Sequence, residues 1–263
     1  MLKRELKVNL KSFIIWTVIL LGMFLVTFLT YPFIIKSGSI DMMDEMMQMF
    51  PEEMLKAFNM DISSLDSAFG WLKSEGFIYI FLIAGVYSSI MGSSILLKEE
   101  SEKTIEYLNS LPVRRRDILK TKVISSIFYI VLMIVVVGIF NYIGLELSGD
   151  FNRKQFLLLS ITPLFVALPL FSINLFISTF CKKTKKTFGI ALGISFLSYF
   201  LQILSEMSKE TEVLKYLTVY TLGDLRNVIL DVSINPVLVL IAVVLTVLFI
   251  VLSFIRYERK ELV

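Results

Sequence analysis

The chain contains no histidine and a single cysteine, Cys181. Without histidine there is no ordinary zinc or haem site and no Ser/His or Cys/His catalytic pair, and one cysteine cannot close an intramolecular disulfide. Most enzyme classes fall with these absences. Charge is also missing from long stretches: six apolar runs, at roughly 12–35, 76–97, 123–145, 155–181, 187–204 and 235–255, hold no Asp, Glu, Lys or Arg. A bilayer-spanning helix needs about 20 such residues. The runs take up about half of the 263 residues, which leaves no room for a separate soluble catalytic domain.

What the chain does have is apolar bulk. Hydrophobic residues make up 56% and mean hydropathy is +0.77, above the globular norm of about 45–50%. The expected fold is an all-α integral membrane protein of six transmembrane helices, one transmembrane domain over residues 1–263. The first run follows Lys3, Arg4, Lys7 and Lys11 as a signal peptide would, but it is too long and no small-residue cleavage site follows. Leu2, Leu6 and Leu10 recur every four residues before it. They predict either an amphipathic helix in the membrane interface or a plain basic anchor for the first span.

Orientation follows from lysine and arginine near the span ends. The N-terminus, the second and fourth connections and the C-terminus together carry 18 Lys and Arg against 8 acids, whereas the opposite side carries 8 against 15. Both termini are therefore expected in the cytoplasm, with residues 36–75 and 205–234 outside. Gly85, Ser89 and Ser93 in the second run, and Gly189 and Gly193 in the fifth, are small residues four apart, a spacing that lets helices approach closely. Pro163 and Pro169 are expected to bend the fourth span, with Ser172 or Asn174 serving the freed carbonyls. Gly223 is expected to break the second external segment.

The cytoplasmic connection at 98–122 carries the most information. Ile105, Leu108 and Leu111 form an apolar stripe at helical spacing, acids crowd its start, and Pro112 ends it. This predicts a short amphipathic helix parallel to the membrane, resting either on headgroups, with help from Arg114, Arg115 and Arg116, or on a protein partner. Glu100, Thr104, Glu106, Leu108, Pro112, Val113, Arg115, Asp117, Ile118 and Lys122 stand in the register of a known signature. At these positions the chain resembles the ABC type-2 permeases, the membrane subunits of bacterial ABC exporters of the type V kind. Lys103 and Arg114 depart from it, where the family pattern has glycine and serine.

The resemblance implies a bacterial plasma-membrane permease that binds two copies of a cytoplasmic ABC ATPase subunit and pairs with a second permease as homodimer or heterodimer. It implies a coupling helix on the ATPase, with Glu100, Glu102, Lys103, Thr104, Glu106, Tyr107, Leu108, Leu111, Arg114 and Arg115 at the interface. ATP and magnesium would sit on the ATPase and no cofactor on this chain, which has no Gly-x-x-x-x-Gly-Lys-Ser/Thr phosphate cradle. The first, second and fifth spans are expected to line the dimer seam, and nucleic acid is not an expected partner.

The lack of intramembrane charge disfavours proton- or sodium-coupled transport. An intramembrane protease of the paired-glutamate kind, suggested by Glu99 and Glu100, is excluded by the missing histidines. No charged cavity lining is expected, so a hydrophobic or amphipathic substrate is favoured: a peptide first, then a drug or lipid, then a non-transporting immunity or sensory role. Residues 36–75 hold 7 of the 12 methionines. Met43, Met46, Met47 and Phe50 share one helical face which, with Trp71, is expected either to meet substrate or to pack on lipid and the bundle.

Overall fold

An apolar run in a bilayer must satisfy its own backbone groups, and a helix does so within the segment. The computed structural model describes residues 1–36, 67–98, 114–181, 183–208 and 210–259, and among these there are nine α-helices and no strand. In chain order they are α1 (Leu2–Lys36), α2 (Ala68–Trp71), α3 (Phe77–Ser94), α4 (Arg115–Ser148), α5 (Arg153–Ile161), α6 (Leu164–Ser178), α7 (Thr184–Met207), α8 (Arg226–Asp231) and α9 (Pro236–Glu258). A π-helical turn, Leu72–Gly76, joins α2 to α3, and two 3-10 turns, Glu212–Tyr216 and Tyr220–Gly223, lie between α7 and α8. Six stretches are long and apolar enough to span a membrane: α1, α3, α4, the α5–α6 pair, α7 and α9. The expected all-α, six-span membrane fold is present.

Two helices outrun the bilayer. α1 has 35 residues and α4 has 34, about 50 Å each at about 1.5 Å per residue, against about 30 Å of hydrocarbon. Leu2, Leu6 and Leu10 are thus the first turns of a continuous spanning helix and not a separate helix lying in the interface. The basic-anchor alternative describes them.

Membrane interiors reward small residues, because lipid is as apolar as leucine and close backbone contact supplies the attraction. α3 follows this rule most fully: 67% of its span is buried, against 11% for α9. A Cβ at Gly92 would overlap the Phe171 carbonyl, so α3 and α6 touch backbone to backbone. Ser88 donates to its own Ala84 carbonyl at 2.6 Å, and Ser89 shares a hydrogen bond of 3.1 Å with Ser195 of α7. α7 turns Thr187, Ala191, Ser195 and Ser198 inward and leaves Phe188, Phe196, Leu197 and Phe200 exposed. The small-residue stripe of the second span therefore serves close packing within the chain.

The fourth span breaks at Thr162–Pro163. Pro163 has no N–H to give the Leu159 carbonyl, and the Thr162 hydroxyl donates there at 2.7 Å. Ser172 and Asn174 serve other carbonyls, those of Pro169 at 2.9 Å and Leu170 at 2.8 Å. Local serine and asparagine bonds thus serve carbonyls within α6, though Asn174 Oδ1 itself is buried without a hydrogen bond, while the expected carbonyl repair falls to threonine.

Candidate functional site

Three features could do work in a membrane, and the first is at the end of the bundle that carries the termini. Arg114 is exposed and extended, and it caps α4 through its backbone only. Arg115 is exposed on the first turn. Arg116 forks onto Glu258 near the end of α9, with Nη2 to Oε2 at 2.9 Å. One and a half turns further on, Lys122 is 2% exposed and places Nζ 3.4 Å from Glu5 Oε2 of α1. The Tyr129 hydroxyl donates to the Leu6 carbonyl at 2.7 Å. The root of α4 is therefore bonded to both α1 and α9.

Sequence reasoning missed the Glu5–Lys122 pair. The available signal was Glu5 itself, the one acid among four basic residues before the first span. A charge in that position is retained most readily when it has a buried partner. Of the expected coupling residues, Glu100, Glu102, Lys103, Thr104, Glu106, Tyr107, Leu108 and Leu111 lie outside the described residues, as do Met43, Met46, Met47 and Phe50.

The second feature is a face of α3 left partly open. Tyr79, Ile83, Ile90 and Ser94 fall on one side of that helix and are only half-buried. Two grooves run beside them. One, of 370 Å³, lies between α1 and α3, with Gly22 and Met23 on one wall and Trp71 and Tyr79 on the other. The second, of 320 Å³, is lined by Asn9 and Ser12 of α1, Ile90 and Ser94 of α3, Lys98, and Thr184 of α7. Trp71 thus belongs to an open groove wall, apart from the buried Phe69 beside it.

The third feature is a cleft of about 70 Å³ at the opposite end, among α3, α7 and the segment between α7 and α9. That segment folds inward because glycine lets it. A Cβ at Gly223 would meet Phe81 and lie 2.8 Å from Val166, and one at Gly85 would meet the Tyr220 hydroxyl. Gly223 therefore serves close approach as well as ending a 3-10 turn. Thr218 fixes the segment by donating to the Ser198 carbonyl at 2.7 Å. The rings of Tyr199 and Tyr220 meet edge to face, 5.2 Å between centroids.

Charge enters this cleft, contrary to expectation, through Lys73, Glu206 and Asp224. Gln202 ties Glu206 to the segment: it accepts from the Thr221 hydroxyl at 2.6 Å and donates to Glu206 at 2.6 Å. The charges sit at a mouth between aromatic walls and not at mid-bilayer, where an ion pathway would put them. Sequence alone could not gather them, because they come from three separate segments. As it stands the space admits a few waters, well below the about 300 Å³ of a drug-sized pocket.

Among the described residues no cluster of His, Cys, Asp and Glu could hold a metal. No curated protein and no solved structure matches the chain. A family model described as ABC-2 family transporter protein matches residues 1–262. Proteins of that kind are multi-pass permease subunits of ABC transporters in the bacterial cell membrane and associate with an ABC ATPase subunit. With a match that leaves out only Val263, over six apolar helices, the chain belongs to the ABC-2 family of transporter proteins.

Proposed function

We propose that the chain is the permease half of an ATP-driven exporter that moves a hydrophobic or amphipathic substrate, in first place a peptide, out of the cell. Both termini face the cytoplasm, as the charge asymmetry of the connections requires. Two ATPase subunits hydrolyse ATP with magnesium, and this chain has no hydrolytic site of its own. Residues Glu100 to Leu111 form a coupling helix on the ATPase, with Arg114 and Arg115 at its edge. The bonded root of α4 carries the stroke into α1 and α9.

The observation that carries this reading is the partly open face of α3 between its two grooves. It is largely apolar, with a few hydroxyl and amide groups and one cation, Lys98, in the second groove, so it suits an amphipathic cargo. A second permease subunit laid against it would enclose a path. At the outer end the cleft offers aromatic walls with both signs of charge, which favours a peptide over a plain lipid as the cargo that leaves there.

The test is ATP turnover in nanodiscs with the ATPase encoded beside the gene, comparing the parent with a Leu108→Asp, Leu111→Asp double variant. Two carboxylates on the apolar stripe should cost at least about tenfold in turnover, equivalent to about 1.4 kcal/mol of coupling, or prevent assembly. Amphipathic peptides should stimulate the parent. A variant that assembles and turns over like the parent would overturn the coupling assignment. Stimulation by lipids or apolar drugs alone would move the substrate to that class.

A further inference from the structure

Helices α4 and α5 part near the Pro163 break and leave an apolar groove of 300 Å³ between them. Its floor is Gly138, where an added Cβ would find only Ser160, no closer than 3.8 Å. Its rims are Val135 and Ile139 on α4, and Leu157 and Ile161 on α5, each 44–57% exposed. The lining is almost wholly apolar, so the groove suits a hydrocarbon chain and not a solute.

What gives the groove a polarity is Lys154. On a helix, positions 154, 157 and 161 share one face, so Lys154 stands on the rim stripe about 10 Å from Ile161 along the axis. It is exposed and makes no ion pair among the described residues. Of the two acids nearby in sequence, Glu146 is taken, accepting from Arg153 Nε at 3.0 Å and from the Tyr142 hydroxyl, and Asp150 is exposed before the start of α5 without an ion pair to Lys154. An ammonium at the end of an apolar groove matches a phosphate above an acyl chain.

We propose that this groove seats one anionic glycerophospholipid, its acyl chain along Leu157 and Ile161 and its phosphate at Lys154. The site lies on α4 and α5, away from the α3 face and the outer cleft, and does not depend on which substrate is exported. An occupant bears on the transporter through α5, because Gln155, next to Lys154, donates to the Val228 and Ile229 carbonyls at 3.1 and 2.8 Å and so holds the inserted segment.

The experiment is native mass spectrometry of the full-length chain after equilibration in vesicles of equimolar phosphatidylglycerol and phosphatidylcholine. The parent should retain phosphatidylglycerol over phosphatidylcholine by about fivefold, the weight of one lysine near a membrane surface. Lys154→Gln should bring that ratio to about one, with total retained lipid unchanged. Gly138→Leu fills the groove and should lower retention of both lipids together. A parent without preference, a Lys154→Gln variant that keeps it, or a Gly138→Leu variant that retains as much lipid would each overturn the site. Should Gly138→Leu fail to assemble, Ser160→Leu fills the groove from the other wall, and Lys154→Gln, on the exposed rim, still decides the headgroup.

Discussion

Two stripes of small residues, alike in the sequence, do opposite things in the fold. In α3, Gly85, Ser89, Gly92 and Ser93 are buried against α6, α7 and the inserted segment. In α7, Gly189 and Gly193 are exposed, with nothing within 4 Å of an added Cβ. Spacing alone marks a helix face that permits close approach. Whether the chain itself uses that face depends on what its other spans place opposite, which no local pattern contains.

The contrast breaks most sharply at Gly92. A side chain there runs into the Phe171 carbonyl, a backbone atom fixed by its own helix. Overpacking against a rigid neighbour costs about 3 kcal/mol or more. Gly92→Val should therefore abolish a monodisperse, folded chain, read as loss of the thermal transition in detergent and poor accumulation in the membrane. A variant with a parental melting profile would mean that α3 and α6 do not touch here.

Gly85 tests the same stripe against a softer neighbour. Its opposing atoms are the far end of the Tyr220 side chain and Leu170 Cδ1, at 3.1 Å. Both can move, so Gly85→Val should cost only about 1–2 kcal/mol in thermal stability. The displacement falls on the inserted segment, because Tyr220 belongs to it. A cysteine at Val219 or Thr221 should then label faster with a water-soluble maleimide than in the parent. Equal labelling with lost stability would place the strain in α6 instead.

The spans were legible because a bilayer imposes one rule on every residue in it, and α3, α7 and α9 begin and end close to the apolar runs at 76–97, 187–204 and 235–255. The family was legible from charged and apolar residues and a proline at fixed places around 100–122, and the match over residues 1–262 agrees. Polar partnerships were not. Lys122 reads as a motif lysine at a helix start, and only the folded chain brings Glu5 beneath it. Lys73, Glu206 and Asp224 flank apolar runs like any interfacial charge, and the inward fold of the segment around Tyr220 makes them one cleft. The inward serines of α7 escaped notice because a serine that bonds its own or a neighbouring helix leaves no trace in hydropathy.

The smallest effect on the fold is expected at Gly193, and it sharpens the comparison most. A leucine there enters open space and should shift the stability of the isolated chain by no more than about 0.5 kcal/mol, leaving its melting temperature in detergent at the parental value. The side chain nevertheless stands on the outward face of α7, about half a turn round the helix from the inward Thr187, Ala191 and Ser195, and that is the face a second subunit would cover where the fifth span lines the proposed seam. A leucine at a position that needs a small residue holds two helices apart. Gly193→Leu should therefore lower the assembled, ATPase-bound fraction in size-exclusion chromatography while the monomer stays intact, with Gly193→Ala intermediate. If Gly193→Leu assembles and turns over ATP as the parent does, the open stripe faces lipid and the seam lies elsewhere on α1 or α3. If its melting temperature falls as well, the stripe is not open, and the contrast with Gly92 is lost.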